Sequence, residues 1–229
     1  MRIKIAMYRT LKVVIIDDHP VFRMGLKKII QQENDIKIVG EAEDADTGFS
    51  LIKKTIPDIA IVDISLKNSN GLSLIHDIAR YFPKVKALVV SMHDEKVYAK
   101  RALQAGASGY VMKSETAEVI INALRIISLG EIFVSQSIMK DIVTKVIKKE
   151  YEMSPLENLT ERELSILELI GNGKSTKEIA QLLHLSNKTV GTYKERIKEK
   201  LQLSNAVQLV YFATKWVENP DTIGKKTTK

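Results

Sequence analysis

The chain has 229 residues, 45% of them hydrophobic and 28% charged, with a formal net charge of +7. That balance belongs to a folded globular protein rather than a disordered one, and the length suits one large domain or two small ones. Cysteine is absent, which excludes a disulfide framework, a thiolate-bound zinc or iron–sulfur site and a cysteine nucleophile.

From residue 10 to residue 130, short β-branched apolar runs alternate with amphipathic stretches. The runs at 11–16, 36–40, 59–62, 85–90 and 108–112 read as strands, and helices are predicted near 20–32, 45–56, 71–82, 95–105 and 115–129. Strands alternating with helices predict βαβ units, hence an α/β domain with a doubly wound, five-stranded parallel sheet. Residues 131–157, a weakly patterned helix followed by a polar stretch with Ser154-Pro155, read as an interdomain linker. Residues 158–217 contain no comparable strand and predict a small all-α domain. In it Thr160…Glu163 and Ser175…Glu178 have capping-box spacing, and Ser186 and Ser204 are further candidate N-caps. Residues 218–229 are polar and read as a flexible tail.

No run approaches the roughly 20 apolar residues of a membrane helix. The first ten residues intersperse Arg and Lys among apolar residues, unlike a signal peptide. A cytoplasmic protein with no membrane partner is expected. The basic surplus of the second half is concentrated at 174–200, where seven Lys/Arg stand against three Glu. Such a surplus suits nucleic acid, an anionic membrane or mere solubility.

The strand ends carry the chemistry. Asp17, Asp18, Asp63, Ser91 and Lys113 each follow an apolar run, and an open α/β sheet binds its ligands at the carboxyl ends of its strands. Three crowded carboxylates repel one another, and a hard divalent cation, best Mg²⁺, relieves that repulsion. A cation also keeps Asp63 ionised and able to attack phosphorus, while Lys113 and the Ser91 hydroxyl hold phosphoryl oxygens. A lone Asp after a strand is ordinarily a cap and a lone Lys a solvated charge. The joint set points to acceptance of a phosphoryl group.

In the second half, 174–184 and 187–201 read as two helices joined at Leu185-Ser186-Asn187, a helix-turn-helix. The second helix places Val190, Ile197 and Leu201 inward and Lys188, Gly191, Thr192, Glu195 and Lys198 outward. In the first, Ile179, Leu182 and Leu183 share the inner face. The last helix, 205–217, carries Val207, Val210, Tyr211 and Trp216, part of which covers the domain core.

The segments Val14-Ile-Ile-Asp-Asp-His-Pro20, Pro57-Asp-Ile-Ala-Ile-Val-Asp-Ile-Ser65, Val89-Val-Ser-Met-His93 and Ala105-Gly-Ala-Ser-Gly-Tyr-Val-Met-Lys-Ser114 resemble the receiver domain of bacterial two-component response regulators. Leu159-Thr-Glu-Arg-Glu-Leu164, Lys177-Glu-Ile-Ala180, Leu185-Ser186, Thr189-Val190 and Lys200-Leu201 are similar to the LuxR/NarL-type DNA-binding domain. Together they resemble the NarL/FixJ subfamily over residues 10–217. The resemblance implies that Asp63 is the phosphoacceptor and that Asp17, Asp18, Asp63 and the backbone carbonyl of Ser65 bind Mg²⁺. Ser91 and Lys113 then read the phosphoryl group, and Tyr110 is the switch aromatic. It implies a sensor histidine kinase as donor, double-stranded DNA with paired half-sites as target, and a homodimer on activation through the last helix.

On this reading Lys174, Lys177, Lys188, Lys194 and Lys198 contact phosphates, and Thr189, Gly191, Thr192, Tyr193 and Glu195 line the recognition helix. Gly191 and Tyr193 depart from the family's usual residues, so Gly191 either lets the backbone approach DNA closely or weakens the helix. Ser114 stands where many receivers have Pro, so no cis bond is expected after Lys113. His93 is either a pocket-mouth group or a surface loop residue, and Tyr110 a switch or a packing residue. The competing readings are an aspartyl-phosphate phosphohydrolase, disfavoured by Ser65 where a second Asp is needed, and a DNA-binding protein that works without phosphate.

Overall fold

The computed structural model describes residues 10–66, 69–148 and 155–218. The readings made above for residues 1–9, for Ser154 and for the tail from 219 lie outside the described residues. The chain separates into two compact units, dividing between Val143 and Thr144.

The first unit contains β1 (Leu11–Ile16), α1 (Pro20–Ile30), β2 (Ile36–Ala42), α2 (Ala45–Thr55) and β3 (Ile59–Val62). The two-residue strands β4 (Ser65–Leu66) and β5 (Ser69–Asn70) follow, then α3 (Gly71–Tyr81), β6 (Lys86–Ser91), α4 (Glu95–Gln104), β7 (Gly109–Met112) and α5 (Ala117–Ser128); the division between the units falls within the next helix, α6 (Gln136–Lys148). The five longer strands form one parallel sheet in the order β2-β1-β3-β6-β7. Buried strands of Val and Ile can be continuous because helices cover both faces. Val13, Ile15, Ile59 and Ile61 pack with Leu26 and Ile30 of α1 and with Ile120, Leu124 and Ile127 of α5. The intervening Ile16 points the other way, onto Gly48 of α2. Helix starts are set by side-chain acceptors: Asp44 takes the Thr47 N–H, Asn70 the Leu72 N–H and Asp94 the Lys96 N–H, each at 2.8 Å.

Three features differ from the sequence reading. β2 continues to Ala42, and Ser91 closes β6 instead of following it. The antiparallel pair β4–β5 is too short for any periodic signal. The segment after α5 stays on the first unit. The Phe133 N–H donates to the Ser108 carbonyl at 3.0 Å, and the Phe133 carbonyl accepts from the Tyr110 N–H at 2.9 Å. The hydroxyls of Ser135 and Ser137 both donate to Glu95 Oε1, at 2.7 and 3.0 Å. Part of the free edge of β7 is thereby covered.

Beyond α6, the described residues of the second unit form a 3-10 turn (Pro155–Asn158) and the helices α7 (Glu161–Gly171), α8 (Thr176–Leu182), α9 (Asn187–Leu201) and α10 (Ala206–Glu218). Both capping boxes form, at Thr160/Glu163 and Ser175/Glu178. Ser186 caps α9 by accepting from the Thr189 N–H at 3.0 Å. Two expectations fail here. Leu182 is 55% exposed, because α8 ends there and only Ile179 and Ala180 reach the core. The cap of α10 is Asn205, which accepts from the Gln208 N–H at 2.9 Å, while the Ser204 N–H donates to the Gln208 side chain. Leu164, Leu167, Ile179, Val190, Ile197, Leu209 and Trp216 form the core. α7 meets α10 closely at Gly171, where a Cβ would stand 2.4 Å from the Ala213 carbonyl oxygen.

The buried Glu163 ties both ends of this unit together. Its Oε2 accepts from the Thr160 N–H at 2.8 Å and from Lys200 Nζ at 2.6 Å. Burial opposes its ionised form, but Lys200 and Thr160 outweigh that and hold the carboxyl below its ordinary value. The contribution is therefore complete above the unfolded-state value and lost as pH falls through the folded one. Glu163→Gln keeps the cap and loses the charge, so it is expected to cost about 1 kcal/mol at neutral pH. The gap to wild type should close below pH ~4. Urea unfolding followed by the single, buried Trp216, which reports this unit alone, checks both values; a gap that persists in acid would contradict the assignment.

Candidate functional site

The sheet order makes the site. From β1 the chain passes to β2 on one side and to β3 on the other, so β1 and β3 flank the point where strand order reverses. Asp17 follows β1 and Asp63 follows β3. The Asp63 N–H donates to the Ile16 carbonyl at 2.9 Å and the Asp17 N–H to the Ala42 carbonyl at 3.1 Å, so the sheet ladder fixes both. Each is only 2% exposed. Asp63 is also held from behind: a Cβ at Gly71 would lie 2.0 Å from the Asp63 carbonyl oxygen, so only glycine fits there. No signal at position 71 in the sequence announced this.

Lys113, whose side chain is 4% exposed, lies between the two acids. Its Nζ is 2.7 Å from Asp17 Oδ2 and 2.8 Å from Asp63 Oδ2. It also sits 4.7 Å over the Phe22 ring. His19, which the sequence reading left without a role, stands in the same cluster. Its Nδ1 is 2.8 Å from Asp18 Oδ1, 3.1 Å from Asp17 Oδ1 and 3.6 Å from Asp63 Oδ2. Burial raises the Asp18 carboxyl above its ordinary value. His19 pulls against that shift, and the charges of Asp63 and Asp17 add to it. Ligand atoms of Asp17, Asp18, His19 and Asp63 all lie within 4.8 Å of one another. This crowded, oxygen-rich donor set fits a hard divalent cation.

The remaining predicted groups adjoin the cluster. Ser91 is fully buried, its Oγ accepts from the His93 N–H at 3.4 Å, and its carbonyl accepts from the Lys113 N–H at 2.7 Å. The Ser65 N–H donates to Asp63 Oδ1 at 3.3 Å. Tyr110 points inward and donates its hydroxyl to the His93 carbonyl at 2.8 Å. Burial pushes the phenol well above its ordinary pKa. His93 shares a 2.6 Å hydrogen bond with the Ser65 hydroxyl and stacks on Tyr98 at 4.4 Å, so it joins two loops instead of standing in solvent. Among the described residues there is no cis peptide bond, so Lys113–Ser114 is trans.

The helical unit brings only some of the expected DNA-facing residues together. Lys188, Thr192 and Glu195 are exposed on one face of α9, with half-buried Lys198 paired to Glu195 at 2.8 Å. Gly191 lies among them, and a Cβ there would meet nothing within 4 Å. Lys174, just before α8, and Lys177, in its first turn, are exposed. Lys194 instead donates to Thr176 Oγ1 at 2.8 Å, and desolvation lowers its pKa. Thr189 is engaged with Ser186, and Tyr193 lies under Arg196 at 5.9 Å. Arg196 is exposed on the same helix and was not singled out from the sequence.

These two units define a class: an acidic pocket at the strand ends of a doubly wound sheet, in one chain with a helix-turn-helix. Comparison with known proteins gives the family. Residues 13–125 match the family described as response regulator receiver domain, and residues 157–213 that of bacterial regulatory proteins, luxR family. The transcriptional regulatory protein DegU of Brevibacillus brevis is 32% identical over 225 residues, covering 91% of this chain and 95% of DegU. RcsB from Salmonella enterica serovar Typhimurium, solved on promoter P1flhDC with the phosphomimetic BeF3⁻, is 26% identical. That match covers 89% of this chain and 98% of RcsB, with a TM-score of 0.55. A structure of two RcsB dimers bound to two parallel DNAs matches at 26% identity over 90% of this chain and 98% of that one, with a TM-score of 0.53. The chain belongs to the two-component response regulators of the NarL/FixJ type and is a DNA-binding transcriptional regulator rather than an enzyme. Among the described residues no helix is long and apolar enough to cross a membrane.

The position of Lys113 predicts a measurable competition with a cation. Lys113→Met leaves Asp17 and Asp63 buried without a counter-charge and is expected to destabilise the metal-free protein by about 3 kcal/mol. Added Mg²⁺ should restore much of that loss, so thermal unfolding with and without Mg²⁺ should show a larger stabilisation in the variant than in wild type. Equal stabilisation would mean that Lys113 does not balance the acids.

Proposed function

We propose that this response regulator accepts a phosphoryl group on Asp63 from a sensor histidine kinase and thereby shifts its dimerisation and DNA binding. The observation that carries the reading is the convergence of Lys113 Nζ on Asp17 and Asp63 at 2.7 and 2.8 Å, beside Ser91. In this reading residues 10–130 are the receiver, 131–157 the linker, 158–217 the DNA-binding domain and 218–229 a tail.

The carboxylates of Asp17, Asp18 and Asp63 and the backbone carbonyl of Ser65 would hold Mg²⁺. When bound, the ion neutralises the acids, so that an anionic phosphoryl group can approach. An Asp63 carboxylate oxygen forms the new O–P bond as the P–N bond of the phosphohistidine breaks. The bond's electron pair stays on the imidazole nitrogen. Lys113 passes its charge from the free carboxylate to the phosphoryl oxygens, and the Ser91 hydroxyl donates to another of them. Ser91 already accepts from the His93 N–H, and the His93 carbonyl holds the Tyr110 hydroxyl. A shift of Ser91 therefore pulls on the loop that anchors Tyr110, and the phosphorylated state gains only what it stabilises differentially.

For DNA, α9 enters the major groove with Thr192 and Glu195 toward base edges, Gly191 allowing close approach and Lys188 and Lys198 on phosphates. Lys174 and Lys177 contact phosphates from the start of α8. Thr189, Tyr193 and Lys194 flank this face, and Lys194 reaches DNA only by leaving Thr176. Val207, Val210 and Tyr211 are exposed on α10 at i, i+3, i+4 spacing, a surface suited to a second copy and so to paired half-sites. On this reading the protein works on chromosomal DNA in the cytoplasm.

The test is DNA binding by the full chain to a palindromic site obtained by in vitro selection. With Mg²⁺ and acetyl phosphate, wild-type affinity should rise on the order of tenfold, a coupling of about 1.4 kcal/mol, while Asp63→Asn should not respond. Lys188→Ala should weaken binding uniformly across sequences and reduce the salt slope by about 1, whereas Glu195→Gln should change base preference. Binding that ignores the phosphodonor would favour the phosphate-independent reading.

A further inference from the structure

We infer that Phe22 is a positioning residue for phosphoryl transfer: its ring face retains the Lys113 ammonium at the pocket through a cation–π contact. The inference rests on acceptance of a phosphoryl group at Asp63 and adds to it a residue with no ionisable or ligating atom.

The placement follows from α1. Phe22, Leu26 and Ile30 recur at i, i+4 and i+8, so they form one stripe of the helix. Leu26 and Ile30 are buried in the core, and half-buried Phe22 packs against it from the first turn. That turn begins beside the acids, because His19, the N-cap of α1, has its ring among them. The apolar stripe therefore ends in an aromatic ring at the pocket. Lys113, just past the end of β7, brings its Nζ to 4.7 Å from the ring centroid, within the reach of cation–π attraction. The lysine side chain is only 4% exposed, so little water screens the contact, the condition in which it is strongest.

The ring holds the ammonium in a way the acids cannot. Without a cation, Asp17 and Asp63 grip Nζ at 2.7 and 2.8 Å. A divalent cation on those carboxylates offsets their charge and repels the ammonium, so both attachments weaken just when the phosphoryl oxygens need the lysine. A long, flexible lysine side chain then gains rotamer freedom by turning outward into water. The neutral face of Phe22 keeps its attraction whether or not the acids are engaged. It also takes up none of the three ammonium N–H donors, which stay available to phosphoryl oxygens. Leucine at this position would keep an apolar contact with the core but present no negative face.

The experiment is the rate at which the full chain is phosphorylated by acetyl phosphate at saturating Mg²⁺. Phe22 is replaced by mono-, di- and trifluorinated phenylalanine, by Leu and by Tyr. Fluorine drains the negative ring face while the ring keeps nearly its size and apolarity. The rate should fall with each added fluorine and by on the order of tenfold in Phe22→Leu, whereas Phe22→Tyr should stay within about twofold of wild type. Mg²⁺ affinity, measured by calorimetric titration, should remain within about threefold throughout, because Phe22 offers the ion no oxygen.

A rate that falls in Phe22→Leu but is level across the fluorinated rings makes Phe22 a packing residue and overturns this assignment alone. An unchanged rate in Phe22→Leu, or a Phe22→Tyr chain as slow as Phe22→Leu, overturns it too. A wild-type chain that gains no phosphate under these conditions overturns the phosphoacceptor reading and this assignment with it.

Discussion

Three carboxylates and one lysine share a pocket that the sheet cannot avoid making. Asp17 and Asp63 end adjacent strands, so the ladder that stabilises β1 and β3 also presses their charges together. Buried like charges repel strongly, and the chain answers with Lys113 placed between them. Beside it, burial first and the charges of Asp63 and Asp17 after it raise the Asp18 carboxyl, against the pull of His19. In the proposed reaction a divalent cation would offset the acids and free Lys113 for the phosphoryl oxygens.

The pocket is connected to its surroundings by short backbone links. Ser91 touches the loop at His93, whose carbonyl holds Tyr110 and whose ring joins Ser65 to Tyr98. Tyr110 lies on β7, and its N–H bonds the Phe133 carbonyl in the segment that leads to α6. Glu95, at the start of α4, holds Ser135 and Ser137 of the same segment. Movement of the loop after β6 therefore bears on the chain leaving α5 within one unit, through these hydrogen bonds. In the other unit α10 exposes apolar Val207, Val210 and Tyr211, and α9 exposes polar Lys188, Thr192 and Glu195.

Much of this was legible in the sequence because the signals are local. A β-branched run ending in an acid announces a strand and its terminal group, and Thr160…Glu163 announces a capped helix. What escaped was set by tertiary approach. Gly71 matters only because the Asp63 carbonyl lies against it. His19 reads as a neighbour of two acids until its ring is seen turned to three. Lys194 looks like a solvated recognition-helix cation, but the packing of α8 against α9 seats it on Thr176. Phe133 joins the sheet edge by backbone hydrogen bonds and packs its ring against the core, an approach that a single apolar residue in a polar stretch does not announce.

The most direct measurement is of the bond the account requires. The full chain is incubated with a small phosphodonor, with and without Mg²⁺, and its intact mass and hydroxylamine lability are recorded for wild type and Asp63→Asn. The account predicts one hydroxylamine-labile phosphoryl group per wild-type chain, dependent on the divalent ion, and none on the variant. A wild-type chain that gains no phosphate, or a variant that gains as much, would contradict it.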